Sequence, residues 1–524
     1  MPEANDQKLY PTVTVVVLNY NSQVHLRDNL DSLTQLDYPP DRVELLLADN
    51  ASDDGSPDWV AAHYPNVRIT RNDSNLGFAA GNNMGAQAAR GEWVVFLNPD
   101  TRVAPNWLSE LIRPTRCDPE IICVASKMLS WEGAKIDFAD AAINFMGWGC
   151  QPGYGSSRIN EFNQTKDLLF ACGGALLIKR QEFLRAGGFD PAFYAYYEDV
   201  DLGWRLWLMG HRVVFAPHAV VYHRHHGSWN AVSDIKRWVL SERNTLFTII
   251  KNYDDQNLAQ VLPAALLLVM QRAYLDIQPS LKAQGVSRVG PIAAAYGLRY
   301  YFGQVRQLLQ RRAYRQLWRR AWDTAWQRLH APRISTVRSN VLLADGRCEV
   351  PTIVFSRLMA GRDVQLAWPQ LQGTRDAVQS LRTRSDQQIF PLFQWALTSN
   401  FGDAQFIQAM QQVIARFGLE QVFATAGPSR SIGPELISYS REVSQMLLHV
   451  MDRILTVSEV PIEQLRLGGP SPELVSRVPR AGMVALAEIN RLLWSLPVAP
   501  FADVLKWLAD GCHKILDSLE SAHD

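Results

Sequence analysis

Arg90-Gly-Glu-Trp-Val-Val-Phe-Leu-Asn-Pro-Asp-Thr101 is the stretch whose reading decides the fold. Its centre, Trp93 to Leu97, is an unbroken apolar run of the kind that forms a strand buried on both faces of a parallel sheet. The run stops at Asn98-Pro99-Asp100. Open α/β sheets bind ligands beyond the carboxyl ends of their strands. A carboxylate at that edge, beside an amide and a chain-turning proline, suits a hard divalent cation, Mn2+ or Mg2+, held through oxygen. A nucleotide diphosphate lying above it would share that cation.

Upstream, Thr12 to Leu18 is β-branched and apolar, a first buried strand closed by Asn19-Tyr20-Asn21. Gln23 to Leu36 carries Leu26, Leu30, Leu33 and Leu36 at helical spacing. Val43 to Ala48 predicts a second strand, ended by the turn-forming loop Asp49-Asn50-Ala-Ser-Asp-Asp-Gly55. A short helix over Trp59 to His63 and a strand over Val67 to Thr70 follow. Asn75-Leu-Gly77-Phe-Ala-Ala-Gly81-Asn82 then opens a helix reaching Arg90. Strands alternating with helices give an α/β, doubly wound parallel sheet. At its loops, Asp49 could accept the imide N–H of uracil or thymine. Asn21, Gly77 and Gly81 allow close backbone approach to ribose and diphosphate, and the helix start near Gly77 adds partial positive charge. The plainer reading makes Asp49, Asp53 and Asp54 turn residues only, but three polar loops converge on one sheet edge.

Downstream, a helix over Pro105 to Arg113 and a strand over Ile121 to Lys127 lead into Trp131 to Arg158, Gly- and aromatic-rich with little periodicity. This reads as long loops or a short hairpin over the site, where an acceptor lid would lie. Phe170-Ala-Cys172-Gly173-Gly174-Ala-Leu-Leu-Ile178 is a glycine-led strand. In Tyr194-Ala-Tyr196-Tyr197-Glu198-Asp199-Val-Asp201, helical spacing of Leu202, Leu206 and Met209 puts Glu198 and Asp199 at a helix start. Capping and the helix dipole explain one such acid. Three acids in four positions behind aromatic residues exceed what a cap needs, and apolar walls raise a carboxylate toward the pKa of a general base. His218, His223, His225 and His226 follow a strand over Val213 to Ala216. Zinc finds no suitably spaced cysteine there. One histidine completing the cation site of Asp100 is the better reading.

Taken together, Val15-Val-Val-Leu-Asn19-Tyr20-Asn21, Asp49 to Gly55, Asn75 to Asn82, Phe96 to Asp100, Cys172-Gly-Gly-Ala and Glu198-Asp-Val-Asp201 resemble the inverting family 2 glycosyltransferases with the GT-A fold, especially their rhamnosyltransferase-like branch. The resemblance covers roughly the first half of the chain and is specific as an ordered set. It implies that Asp49 reads the pyrimidine base and that Asn21, Asn75 and Gly77 lie on the donor loops. Asp100, with Asn98 nearby, then stands at the metal-binding D-x-D position. Asp199 is the base for the acceptor hydroxyl with Glu198 beside it, and His223 is a further metal ligand. One departure stands out: the first acid of D-x-D is Asn98 here. The implied reaction moves a sugar from a nucleotide-diphosphate donor, dTDP-rhamnose before UDP-sugars, to a glycan, polyprenyl-linked or protein-linked acceptor in cell-surface polysaccharide synthesis. Rivals are a UDP-hexose or UDP-hexosamine transferase of the same fold and a non-catalytic sugar-nucleotide-binding scaffold subunit.

The remaining chain is expected to be mainly α-helical. With 524 residues, the division is a catalytic domain over 1–255, a basic Trp-rich helical region over 256–345 and a helical domain over 346–524. Trp318, Trp322 and Trp326 share a helical face among arginines, either packed on the catalytic domain or resting on anionic lipid as a peripheral membrane contact. Cys348 to Trp368 reads as short strands or extended segments, and Arg382-Thr-Arg-Ser-Asp-Gln387 resembles a tail motif of the same branch. The helical end region suits partner binding or a homo-oligomer. A formal net charge of zero gives no global field toward nucleic acid. Six cysteines without C-x-x-C pairs suggest free thiols in a reducing compartment. A polar Met1 to Tyr10 and a longest apolar run of only Val261 to Met270 point to a cytoplasmic protein, at most at the inner face of the cell membrane.

Overall fold

The computed structural model describes residues 10–224, 234–283, 348–399, 401–424, 432–458, 460 and 475–521. In the N-terminal part, β1 (Val13–Asn19), α1 (Gln23–Leu33), β2 (Val43–Asp49), α2 (Ser56–His63), β3 (Arg68–Arg71), α3 (Gly77–Ala88) and β4 (Trp93–Leu97) alternate as the sequence predicts. There follow β5 (Thr101–Val103), α4 (Trp107–Ile112), β6 (Ile121–Ser130), β7 (Ile136–Phe138), β8 (Ala142–Ile143), β9 (Gly149–Cys150), β10 (Lys166–Asp167) and β11 (Ala175–Lys179). The series continues with α5 (Arg180–Arg185), α6 (Glu198–Leu208), β12 (Arg212–His223) and α7 (Asp234–Asn252). The main sheet has the order β10-β12-β6-β11-β4-β1-β2-β3, with β5 on β12 and β7 on β6.

The sheet is mixed rather than wholly parallel. Strands β4, β1, β2 and β3 are parallel, as are β6 and β12, but β11 runs antiparallel to both β4 and β6. All five residues of β4 are buried, which is why its apolar run carries no alternation. Helix α3 lies close on β1 because its facing positions lack side chains: a Cβ on Gly85 would come within 2.4 Å of Val16 Cγ1. Strand β12 extends through His223, so His218 and His223 lie within a strand and not after it. The 131–158 region is no open lid. It contributes β7 and the small hairpin β8–β9, and Ile136 through Trp148 are buried.

The described residues divide into two units. The first runs to Leu258 and includes Leu366–Ala396, so this segment departs from the contiguous division expected. Its physical reason is capping. Arg384 donates from Nη1 to His211 O (2.9 Å) and from Nη2 to Gly210 O (2.7 Å), and Thr383 N donates to Leu208 O (2.7 Å). Leu208 O is a carbonyl left orphaned where α6 ends, and Gly210 and His211 belong to the turn that follows. The second unit contains the helices Ala404–Phe417, Pro434–Val457, Arg480–Trp494 and Phe501–Glu520 and the antiparallel pair Cys348–Pro351 with Val475–Val478.

The expectation for Cys348 to Trp368 holds only at its start: Cys348–Pro351 is a strand, but Ser356–Ser380 is a helix. Leu358, Met359, Val364 and Leu371 form its buried stripe, and Pro369 sits inside it. The helix Asp255–Ala283 is long and apolar enough to cross a membrane by composition, yet 89% of its apolar window is buried, as in a core helix. Cys117, Cys123, Cys150, Cys172 and Cys512 are free thiols. Trp318, Trp322, Trp326, His225 and His226 lie outside the described residues.

Helix α6 packs directly on backbone, since a Cβ on Gly203 would meet Leu169 O at 2.5 Å and Phe170 Cα at 2.6 Å. Gly203→Ala gains about 1 kcal/mol of helix propensity but forces a separation costing about 1–3 kcal/mol. A lowered denaturant midpoint is expected, and an unchanged or raised one would show that α6 can shift freely.

Candidate active site

The parallel strands deliver their polar ends to one sheet edge. Asn19 and Asp49 stand opposite each other at the ends of β1 and β2. Asn19 Nδ2 donates to Asp49 Oδ1 at 2.8 Å, and Ser52 N donates to Oδ2 at 3.2 Å. Asp49 is thus buried and braced, with further lone pairs left on each oxygen. Asn21, in the left-handed region at φ 51°, accepts from Asp53 N at 2.9 Å and donates its own N–H to Ser52 Oγ at 3.0 Å. Asn75 Oδ1 accepts from Gly77 N (2.9 Å) and from Asn50 Nδ2 (2.9 Å). Asn50 also accepts from Leu76 N at 3.1 Å and donates to Gly77 O at 3.2 Å, so it organises the entrance to α3.

At the end of β4, Asn98 N donates to Gly174 O at 2.9 Å, and the Asn98 side chain fills the space beside Gly174. Asp100 is 1% exposed, and neither carboxylate oxygen receives a well-oriented hydrogen bond among the described residues. Its nearest counter-charge is His223 Nε2, 3.2 Å from Oδ1. His223 Nδ1 is 2.6 Å from Asp137 Oδ2. Burial alone would lower the His223 pKa, but its pairing with the carboxylates of Asp100 and Asp137 pushes it up to about 10. A buried carboxylate paired with an imidazole offers the oxygen and nitrogen donors that a divalent cation takes. Among the described residues no group of three or more potential ligands closes around one point, so protein would supply only part of the coordination. His218 is exposed and away from this role.

The third group comes from the start of α6. Gly173 N donates to Asp199 Oδ2 at 2.8 Å and Val200 N to Oδ1 at 2.8 Å. Burial raises the Asp199 pKa, and these backbone bonds pull it partly back. Glu198 is 5% exposed, and its Oε2 has no hydrogen-bond partner among the described residues. Burial, then the charge of Asp199, holds the Glu198 pKa well above the ordinary carboxylate range. Asp201 is the opposite case. Burial would raise it, but Arg205 and Lys251 outweigh burial and hold it low. Arg205 Nε lies 2.8 Å, and Lys251 Nζ 2.9 Å, from Oδ2, with Asn252 Nδ2 2.9 Å from Oδ1. The acid triplet therefore holds two strained carboxyls and one satisfied structural one.

Two positioning residues escaped the sequence reading. Asn29, fully buried, donates to Asn98 O (3.2 Å), Thr101 O (3.1 Å) and Thr101 Oγ1 (3.1 Å), clasping the Asn98–Thr101 turn. A polar residue on the inner stripe of Leu26, Leu30 and Leu33 was the available signal. Asp137 had none, because it lies where no periodicity orders the sequence.

Residues 14–185 match the model of glycosyl transferase family 2. The N-acetylglucosaminyl-diphospho-decaprenol L-rhamnosyltransferase of Mycobacterium tuberculosis is 29% identical over 239 residues, 41% of this chain and 76% of that protein. The O-antigen biosynthesis protein RfbC of Myxococcus xanthus is 30% identical over 231 residues, 42% of this chain and 18% of that protein. The pre-mycofactocin glycosyltransferase of Mycobacterium tuberculosis is 29% identical over 218 residues, 41% of this chain and 43% of that protein. Residues 14–185 thus match family 2 glycosyltransferases, and one of the similar proteins is a rhamnosyltransferase.

The acid triplet makes opposite predictions for two amide replacements. Glu198 has a raised folded pKa, so its stability contribution is present below the unfolded value of ~4.3 and lost as pH rises through the folded pKa. Glu198→Gln should raise Tm at pH 8 and converge on the parent below pH ~4. Asp201 has a depressed pKa, so its contribution is present above ~3.9 and lost as pH falls through the folded pKa. Asp201→Asn should cost about 3–5 kcal/mol at neutral pH. Thermal melts across pH test both, and equal signs for the two variants would contradict this assignment.

Proposed function

We propose that the chain is an inverting, metal-dependent glycosyltransferase that moves a sugar from a nucleotide-diphosphate donor, dTDP-rhamnose before UDP-sugars, to a glycan or polyprenyl-linked acceptor. The observation carrying this reading is the buried Asp100 carboxylate, without a well-oriented donor, at the same sheet edge as the raised-pKa pair Glu198 and Asp199. The names of two relatives, one a decaprenol-linked rhamnosyltransferase and one an O-antigen biosynthesis protein, support rhamnose, a lipid-linked acceptor and polysaccharide synthesis. Such an acceptor favours work in the cytoplasm at the inner membrane face.

In this reading Asp100 and His223 hold a divalent cation, with Asn98 alongside. When bound, that cation supplies positive charge to the departing diphosphate. Asp49 accepts the base N–H, and Asn21, Asn75 and Gly77 form the wall against ribose and diphosphate. Asp199 takes the proton of the acceptor hydroxyl. The hydroxyl oxygen then bonds to the anomeric carbon as the carbon–oxygen bond to diphosphate breaks, its electron pair leaving with the nucleoside diphosphate. Configuration inverts, and no covalent enzyme intermediate forms. The two backbone N–H groups on Asp199 fix its orientation, and burial makes it a better proton acceptor. Glu198 keeps the acceptor side polar without competing for a backbone donor.

Nucleoside diphosphate release from dTDP-rhamnose and a UDP-sugar panel, with and without Mn2+ or Mg2+, selects the donor. Asp199→Asn should lower kcat by about 10²–10⁴-fold while donor binding by calorimetry stays within a factor of about three. Transfer surviving in that variant would remove Asp199 as the base. Asp100→Asn should instead abolish metal-dependent donor binding, and turnover of a UDP-hexose alone would replace rhamnose in the reading.

A further inference from the structure

Three residues just before the acid pair occupy a backbone region that side chains rarely tolerate. Tyr194, Tyr196 and Tyr197 have φ of 63°, 70° and 68°. None is glycine, and bulky residues at positive φ are outliers. Such strain persists only where surrounding structure over-determines it. The stretch ends where α6 begins, with Asp201 N bonded to Tyr197 O at 2.9 Å. Its other end touches the donor side, where Tyr194 O accepts from Ala79 N of α3 at 3.1 Å.

The residue that holds this stretch is Asn244, fully buried in α7. Its Nδ2 lies 3.0 Å from Phe193 O, 2.9 Å from Ala195 O and 2.6 Å from Tyr196 O. On its other side Oδ1 accepts from Arg243 Nε (2.9 Å) and Nη2 (2.8 Å). Arg243 Nη2 also donates to Ala192 O at 2.7 Å and Phe193 O at 3.0 Å. Three carbonyls on one face and a guanidinium on the other permit only this amide orientation. Asparagine is a poor residue for a helix interior, so its presence there reflects these contacts.

We propose that Asn244 is the positioning residue of the catalytic acids: its amide holds residues 193–197 in the path, at positive φ in Tyr194, Tyr196 and Tyr197, that delivers Glu198 and Asp199 to the sheet edge. It touches no reacting atom and acts only through that backbone. The proposal rests on Asp199 being the base, and Asp199→Asn serves as the separate control for that reading.

The test uses the full chain and turnover of dTDP-rhamnose, or of the UDP-sugar the donor panel selects. Asn244→Ala should lower kcat about a hundredfold or more while donor KM moves less than about threefold. Tyr196→Gly accepts positive φ at no steric cost. Added to Asn244→Ala, it should restore kcat at least about tenfold beyond the product of the two single effects. Asn244→Asp keeps the size and the Arg243 contact but removes the donor, so it should behave as the alanine variant does and serves where alanine does not fold. A kcat within threefold of the parent in folded Asn244→Ala or Asn244→Asp, no rescue by Tyr196→Gly, or a loss shared equally by donor KM overturns the proposal. If Asp199→Asn stays active while Asn244 variants lose kcat, the base assignment fails instead.

Discussion

The bond from Gly173 N–H to Asp199 ties together two parts of the molecule that the chain alone leaves separate. Gly173 and Gly174 open β11, and Gly174 O accepts the N–H of Asn98 at the end of β4. Through two adjacent glycines, the turn that carries Asp100 and the helix start that carries Asp199 share one backbone reference. A side chain at 173 would press on Phe78, and one at 174 on Asn98. The glycines are there for close approach, and the site's precision follows from it.

Much of this architecture was legible because burial on both faces leaves a plain record. The runs of β1, β2 and β4 read as strands without alternation, and their polar ends fall together at one sheet edge. The antiparallel insertion of β11 was not legible, because an apolar run carries no direction. Residues 356–380 misled for a different reason: Pro369 and a diffuse apolar stripe hid a helix that tertiary packing stabilises. Asn98 and Asp100 follow β4 and Glu198 and Asp199 begin α6, as their spacing predicted, whereas His223 lies inside β12. Asn29, Asp137 and Asn50 work through hydrogen bonds to residues distant in sequence, and a single chain records no such pairing.

The acid cluster shows how environment assigns roles to similar side chains. Asp201 sits in a closed network with Arg205, Lys251 and Asn252, and Lys251 also reaches Asp190 at 2.7 Å. That network anchors α6 on α7. Two and three residues earlier, Asp199 and Glu198 make no hydrogen bond to a cation among the described residues and remain costly to ionise. Stability is concentrated in Asp201, and the reactivity proposed for this site falls to its neighbours, a division often seen where function opposes folding.

The buried run from Ile136 to Trp148 has a further meaning. Asn144 holds its own turn through the N–H groups of Met146 and Trp148, and Gln394 ties Asp140 and Ala141 from outside. Trp148 then faces Tyr197, with ring centroids 6.0 Å apart. This flank is finished before any ligand arrives, so it sheds no chain entropy on binding. In the proposed reading, such a preformed wall selects acceptors by shape.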